Sequence, residues 1–291
     1  MRMPLFLLLV ILIFAACEKD ISVNLPQQEP QLVVEGRFES GSYPVVILTH
    51  SLNYFSQIDP AVLTNAFVHN ATVTVSNGSK TMTLKERTID TGNMKFFVYL
   101  PDLTQPANNF TGNVPGTYTL RINADNKAYE SVTTIPQRGM KLDSVWWTLV
   151  TVDDSTKARL WVKITDAPAF GNYARYFTRR NSEPYLPGLN SVLDDQLVNG
   201  TTFEIPVDAG VNKNLDPDDR PDEFFEPGDT VTLKFCNIDK ATWDFWRTLD
   251  FAYNSNGNPF SSPTKILGNV PGALGYWGGY TVTYKTIIIS R

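Results

Sequence analysis

From Gln31 onward, apolar residues recur at every second position in short runs, the spacing of strands with one face in a core and one in water. Leu32, Val34 and Phe38 fall on one face of the first run, with Glu35, Arg37 and Glu39 opposite. Tyr43 to Ser51 is a second, more buried run, and Ala71 to Ser76 turns Val73 and Val75 inward between threonines. Asn77-Gly78 tolerates positive φ at both positions and so predicts a tight turn into Thr81 to Lys85. Lys95 to Leu100 follows, and Thr117 to Asn123 and Lys127 to Ile135 flank a second hairpin turn at Asp125-Asn126. About seven short strands in a hundred residues predict an immunoglobulin-like sandwich over residues 31–136. The Cys–Trp–Cys core of true immunoglobulins is missing, which leaves fibronectin-type and prealbumin-like variants equally open.

A short linker, Gln137 to Lys141, introduces a second domain over residues 137–291. Its expected strands are Ser144 to Val152, Arg159 to Thr165, Tyr173 to Thr178, Thr201 to Val207 and Thr230 to Cys236, with a polar acidic loop from Asp208 to Asp229. In Lys240 to Asn254 the period changes to that of a helix: Phe245, Trp246, Leu249, Ala252 and Tyr253 form one apolar stripe, and Asp239 is placed to cap free amides. A Gly- and Pro-rich loop, Pro263 to Gly279, is expected to precede a central final strand, Tyr280 to Ser290, with burial on both faces at Ile287, Ile288 and Ile289. The fold class is therefore mainly β: two β-sandwich-like domains, the first immunoglobulin/fibronectin-like and the second with one amphipathic helix.

The amino terminus departs from this pattern. Arg2, an apolar run from Pro4 to Phe14, small Ala15 and Ala16, and Cys17 follow the order of a secretory leader. The run is too short to span a bilayer core, which needs about 20 apolar residues. Small residues directly before a cysteine resemble the lipobox of bacterial lipoproteins. Residues 1–16 are therefore expected to be a signal peptide, Cys17 the lipidated residue, and 17–30 a polar tether. Several acyl chains on one residue give a durable membrane anchor, because each buried methylene contributes about 0.8 kcal/mol. Glu18-Lys19-Asp20 resembles the surface-export tag described for Bacteroidota lipoproteins, so display at the cell surface is a further expectation.

Composition narrows the function. A hydrophobic fraction of 42% is that of a globular chain, and a net charge of −5 without a basic cluster argues against nucleic acid. Beyond Cys17 the remaining thiol, Cys236, has no cysteine to pair with. Two histidines, His50 and His69, leave little for a metal site, and no zinc spacing, G-x-S-x-G elbow or cofactor motif occurs. Five carboxylates between Asp216 and Glu223 have the oxygen count for Ca²⁺, but two prolines and Arg220 interrupt a wrap, so a solvated loop is favoured. Asp194-Asp195 is the tightest acidic pair, yet strand neighbours face opposite sides, which argues against a catalytic dyad. Asp143-Ser144-Val145 and Asp229-Thr230-Val231 resemble the Bacteroidota O-glycosylation acceptor and read equally well as strand starts. All six tryptophans lie in the second half: Trp146, Trp147, Trp161, Trp243, Trp246 and Trp277. Trp246 is expected in the core. Tyr276 and Trp277, in a Gly-rich loop, are the candidate ligand or partner contacts.

Three segments carry a family likeness: 243–249 (WDFWRTL), 258–263 (NPFSSP) and 268–280 (GNVPGALGYWGGY). Shorter matches are 17–20 (CEKD), 32–36 (LVVEG), 115–120 (PGTYTL), 133–136 (TTIP), 193–195 (LDD) and 226–229 (EPGD). Together they resemble the Bacteroidota outer-membrane lipoproteins of the domain of unknown function 4249 family, over essentially the whole mature chain. One departure is 271–273 (PGA), where the family pattern usually has a second glycine. The resemblance implies an outer-membrane lipoprotein working beside a TonB-dependent transporter. It implies a partner but no cargo and no catalytic residue. The expectation is a non-enzymatic accessory protein in nutrient uptake, with a surface hydrolase or an adhesive surface protein as the alternatives.

Overall fold

The computed structural model of the chain describes residues 29–52, 59–92, 94–213, 215, 222–255, 262 and 264–290. The leader, Cys17 and most of the acidic loop 216–223 lie outside these residues. The described chain is mainly β, as the alternation predicts: fourteen strands with two α-helices and one short 3₁₀ turn.

The first seven strands are β1 (Leu32–Glu39), β2 (Val45–His50), β3 (Thr72–Ser76), β4 (Thr81–Asp90), β5 (Lys95–Pro101), β6 (Gly116–Ala124) and β7 (Lys127–Ile135). Helix α1 (Pro60–Asn65), capped by the Asp59 carboxylate accepting from the Val62 amide at 2.7 Å, joins β2 to β3. Then come β8 (Met140–Val152), β9 (Ser155–Asp166), β10 (Tyr173–Arg180), β11 (Leu186–Asp194), β12 (Thr202–Val207), β13 (Thr230–Ile238), α2 (Lys240–Asn254) and β14 (Leu274–Ile288).

Eleven strands form one sheet in the order β11-β10-β13-β14-β1-β2-β5-β4-β3-β6-β7, and β12-β9-β8 form a second. The join is β14. Its first half, Leu274 to Tyr280, runs parallel to β1; its second half, Tyr280 to Ile288, runs antiparallel to β13. The sheet rolls over beyond β1, so that β7 returns to lie against β14. At that crossing a side chain on Gly279 would stand 2.4 Å from the Thr134 carbonyl oxygen. Inside the roll sits the first core, with Val34, Phe38, Leu48, Val73, Val75, Met82, Tyr118 and Ile122 among its buried residues. The second core lies between β10, β13 and β14 on one side and the three-stranded sheet on the other, and includes Leu142, Leu160, Ile164, Tyr176, Leu233, Phe235 and Ile289.

Several expectations are corrected here. The last strand begins at Leu274, inside the stretch expected to be a loop, because its glycines sit in the ladder beside β1. Trp277 and Val270 from that stretch complete the first core. Ile289 is fully buried but Ile288 is 67% exposed, so the strand end is covered on one face only. Two elements escaped the alternation: α1, which is a short turn of helix, and β11, an edge strand holding Pro187 and Gly188 with a register shift beside it. The hairpin at Asp125-Asn126 is as expected, with φ of 51° and 59°, and Asp153-Asp154 makes a second such turn at 47° and 60°.

Candidate functional site

Where the two halves of the large sheet meet, one face of β1, β14, β13 and β10 turns away from both cores. Period-two alternation decides which residues it carries. From β1 come Glu35, Arg37 and Glu39; from β14, Tyr276, Gly278 and Tyr280; from β13, Lys234, Cys236 and Ile238; from β10, Tyr173, Arg175 and Phe177. Helix α2 covers part of this face with Trp243 and Phe245 and leans Trp246 and Leu249 against it.

Asp239 fixes how the helix sits. One carboxylate oxygen accepts from the Thr242 amide at 2.8 Å, the N-cap bond expected from the sequence. The other accepts from the Thr133 hydroxyl at 2.8 Å and the Thr134 amide at 2.9 Å, at the end of β7. A side chain on Gly278 would stand 2.9 Å from Thr242, so the glycine lets α2 approach the sheet. Lys240 and Asp244, one helical turn apart, pair at 2.6 Å on the outer surface.

Beyond the covered area the same face opens into a cavity of about 400 Å³. Its walls combine aromatic rings from Phe177, Tyr185, Trp246, Tyr253, Tyr276 and Tyr280 with charged groups. Tyr276 stacks on Phe245 with centroids 4.6 Å apart and meets Trp246 edge-on at 4.9 Å. The Trp246 indole donates to the Tyr280 hydroxyl at 2.9 Å. Burial pushes the Tyr280 phenol up to about 12, and it holds Tyr276 well above the ordinary range, helped by the neighbouring Tyr280 and Glu35. Both phenols are therefore neutral at physiological pH.

Two ion pairs flank the opening: Lys234 with Glu39 at 2.5 Å and Lys213 with Asp250 at 2.6 Å. Arg175 stands apart from them. It is 3% exposed, and its guanidinium carbon lies 3.4 Å from the Trp246 ring centroid and 4.7 Å from that of Phe177. Its Nε donates to Ser191 at 3.2 Å. Among the described residues no carboxylate lies within ion-pair distance of it.

The residues singled out from the sequence fall in different places. Trp277 is fully buried in the first core, and its indole donates to the Tyr118 carbonyl at 3.1 Å, so it offers no exposed surface for a contact. Tyr276, one position along the strand, faces the other way and lies in the cavity wall, 3% exposed. An exposed loop contact is therefore the wrong picture for both, because β1 pairs with this stretch and seals it. Trp246 is half-buried and shared between packing and cavity.

Cys236 is buried, and its thiol is pushed up to about 12 by that burial. His50 pairs with Asp125 at 2.9 Å and His69 with Glu86 at 2.6 Å, both far along the first half from the cavity. Asp195 accepts from the Gly171 and Asn172 amides at 2.7 and 2.8 Å, a backbone-holding role. In the described part of the acidic loop, Asp222 meets Lys157 at 3.3 Å and Glu223 meets Arg159 at 2.9 Å. Among the described residues, no three metal-ligating side chains gather, and no helix is long and apolar enough to cross a membrane. A larger hollow of about 1010 Å³ is lined by residues 29–32 and 50–52 together with Val62, Asp125 and Tyr129, next to chain that lies outside the described residues.

Arg175 and its aromatic frame were not picked out from the sequence. The signal was there: Tyr173, Arg175 and Phe177 alternate with Ala174, Tyr176 and Thr178 on a strand whose two faces are both occupied. An arginine inside such a strand is costly to bury unless something pairs with it.

A family model described as Domain of unknown function (DUF4249) matches residues 18–286. No curated protein matches the chain.

Proposed function

The chain belongs to the DUF4249 family, and from that premise we propose that it is a non-enzymatic, lipid-anchored accessory protein of the outer membrane. It works beside a TonB-dependent transporter, binding a small nutrient ahead of uptake. Cys17 carries the anchor and residues 17–30 the tether. The observation that carries the reading is the cavity at the seam of the two halves. Its aromatic walls surround a buried arginine, a composition suited to holding a small molecule. The thiol and imidazoles that a nucleophilic hydrolase could use are buried or engaged. Cys236 is buried with a raised thiol, both histidines are engaged with carboxylates outside the cavity, and the cavity phenols are held neutral. Membrane tethering favours such a partnership energetically, since a shared surface raises effective concentration and lowers the affinity each contact must supply.

Crosslinking in native outer membranes, followed by affinity capture of the chain, tests the reading. Recovery of a TonB-dependent transporter in the wild type, lost when Cys17→Ser removes the anchor, is the expected result. Capture that yields no transporter in any sample overturns it.

A further inference from the structure

The charge balance of the cavity defines what it will accept. Its lining holds four cations, Arg37, Arg175, Lys213 and Lys234, and three anions, Glu35, Glu39 and Asp250. Lys234 and Lys213 are neutralised at close range by Glu39 and Asp250. Among the described residues what is left is a net single positive charge, and its most buried bearer is Arg175.

The state of that arginine is the decisive observation. Desolvating a guanidinium is expensive, and proteins ordinarily offset the cost with a carboxylate partner. Among the described residues Arg175 has two aromatic rings, Trp246 and Phe177, and one neutral hydroxyl on Nε. Arg175 lies against Trp246 and lines the cavity, and among the described residues its terminal nitrogens donate to no protein acceptor. A planar pair of N–H donors matches the two oxygens of a carboxylate. Around it the Tyr276 and Tyr280 phenols are neutral, and so add no repulsion to an incoming anion. The aromatic walls offer apolar surface to the rest of the molecule, in a space at the small end of ligand pockets, which run from about 300 to 1,000 Å³.

From this we infer that the cavity is a binding site for a small organic monocarboxylate, with Arg175 as the anion anchor and Phe177, Trp246 and Tyr276 as the walls for its apolar body. One net positive charge with Glu35 nearby disfavours a dianion such as phosphate. The inference rests on the binding-protein reading above and adds the chemical class of the ligand.

The test is calorimetric titration of the full chain, purified in detergent, with phenylacetate and hexanoate. Phenylacetamide serves as the neutral match and inorganic phosphate as the competing anion. Saturable binding of a carboxylate at least tenfold tighter than the amide or phosphate is expected. Arg175→Gln should remove that preference, and Arg175→Lys should retain the charge but lose at least tenfold in affinity, because an ammonium cannot make the paired contact. Should the Gln variant fail to fold, Leu249→Trp, which fills the cavity from the helix side, must weaken carboxylate binding by a similar factor. Carboxylate and amide binding equally, phosphate binding tightest, or no probe binding at all would each overturn the inference. Those results leave recovery of the transporter by crosslinking unaffected, so the two readings fail separately.

Discussion

Removing the Asp239 side chain separates two contributions to the seam of the molecule. Asp239→Ala deletes the N-cap bond to Thr242 and the two bonds to Thr133 and Thr134 together. Loss of an N-cap costs about 1 kcal/mol. Hydrogen bonds to a charged acceptor contribute about 1.5–3 kcal/mol, and the half-buried position of Asp239 places its pair of β7 bonds at the low end. The sum is roughly 2.5–4 kcal/mol. Asp239→Ser keeps a capping oxygen but cannot reach β7, so it should recover about 1 kcal/mol of the loss. Asp239→Asn keeps the cap yet turns a donor toward the Thr134 amide, and should behave like the serine variant. Urea unfolding followed by tryptophan fluorescence reads all three, with an unchanged denaturant slope expected. An alanine variant within about 0.5 kcal/mol of wild type, the scatter usual for surface changes, would refute the reasoning. So would serine and alanine variants of equal stability.

Three further outcomes follow from the same geometry. Gly279→Ala must push a methyl against the Thr134 carbonyl oxygen, a backbone atom that cannot rotate away; a loss of about 1–3 kcal/mol is expected from overpacking. Gly278→Ala, which meets the rotatable Thr242 side chain, should cost less, and equal thermal shifts for the two variants would contradict this. The raised Tyr280 phenol contributes stability that is complete below pH 10, where an unfolded tyrosine titrates, and is lost as pH rises toward about 12. Absorbance at alkaline pH should show Tyr276 and Tyr280 ionising only together with loss of the folded circular-dichroism signal; ionisation in the intact fold near pH 10 would refute their burial. Finally, the Cys236 thiol should resist a thiol-specific chromogenic reagent in buffer and react fully in denaturant, and rapid native labelling would show that the seam opens.

Much of the fold could be read from the chain because strand burial is written locally. Alternation at Leu32–Phe38, Val73–Val75 and Val231–Phe235 and the capped stripe from Lys240 to Asn254 each match the structure. What failed to show depends on partners distant in sequence. Leu274 to Gly279 reads as a loop because three of its six residues are glycine, yet β1, more than two hundred residues earlier, makes it a strand. Tyr276 and Trp277 appeared equivalent in sequence, and the strand separates them, one into the cavity wall and one into the first core. Arg175 could be noticed in its own strand, between Tyr173 and Phe177, but what encloses it, Trp246 of α2 and Ser191 of β11, lies on other elements.

The shared strand β14 also sets an order of events. Both cores draw residues from Val270 to Ile289, so neither can close before that segment is in place. Loss of β14 would therefore open both halves at once. One strand closes both cores, and the cavity beside it exists only once that strand is in place.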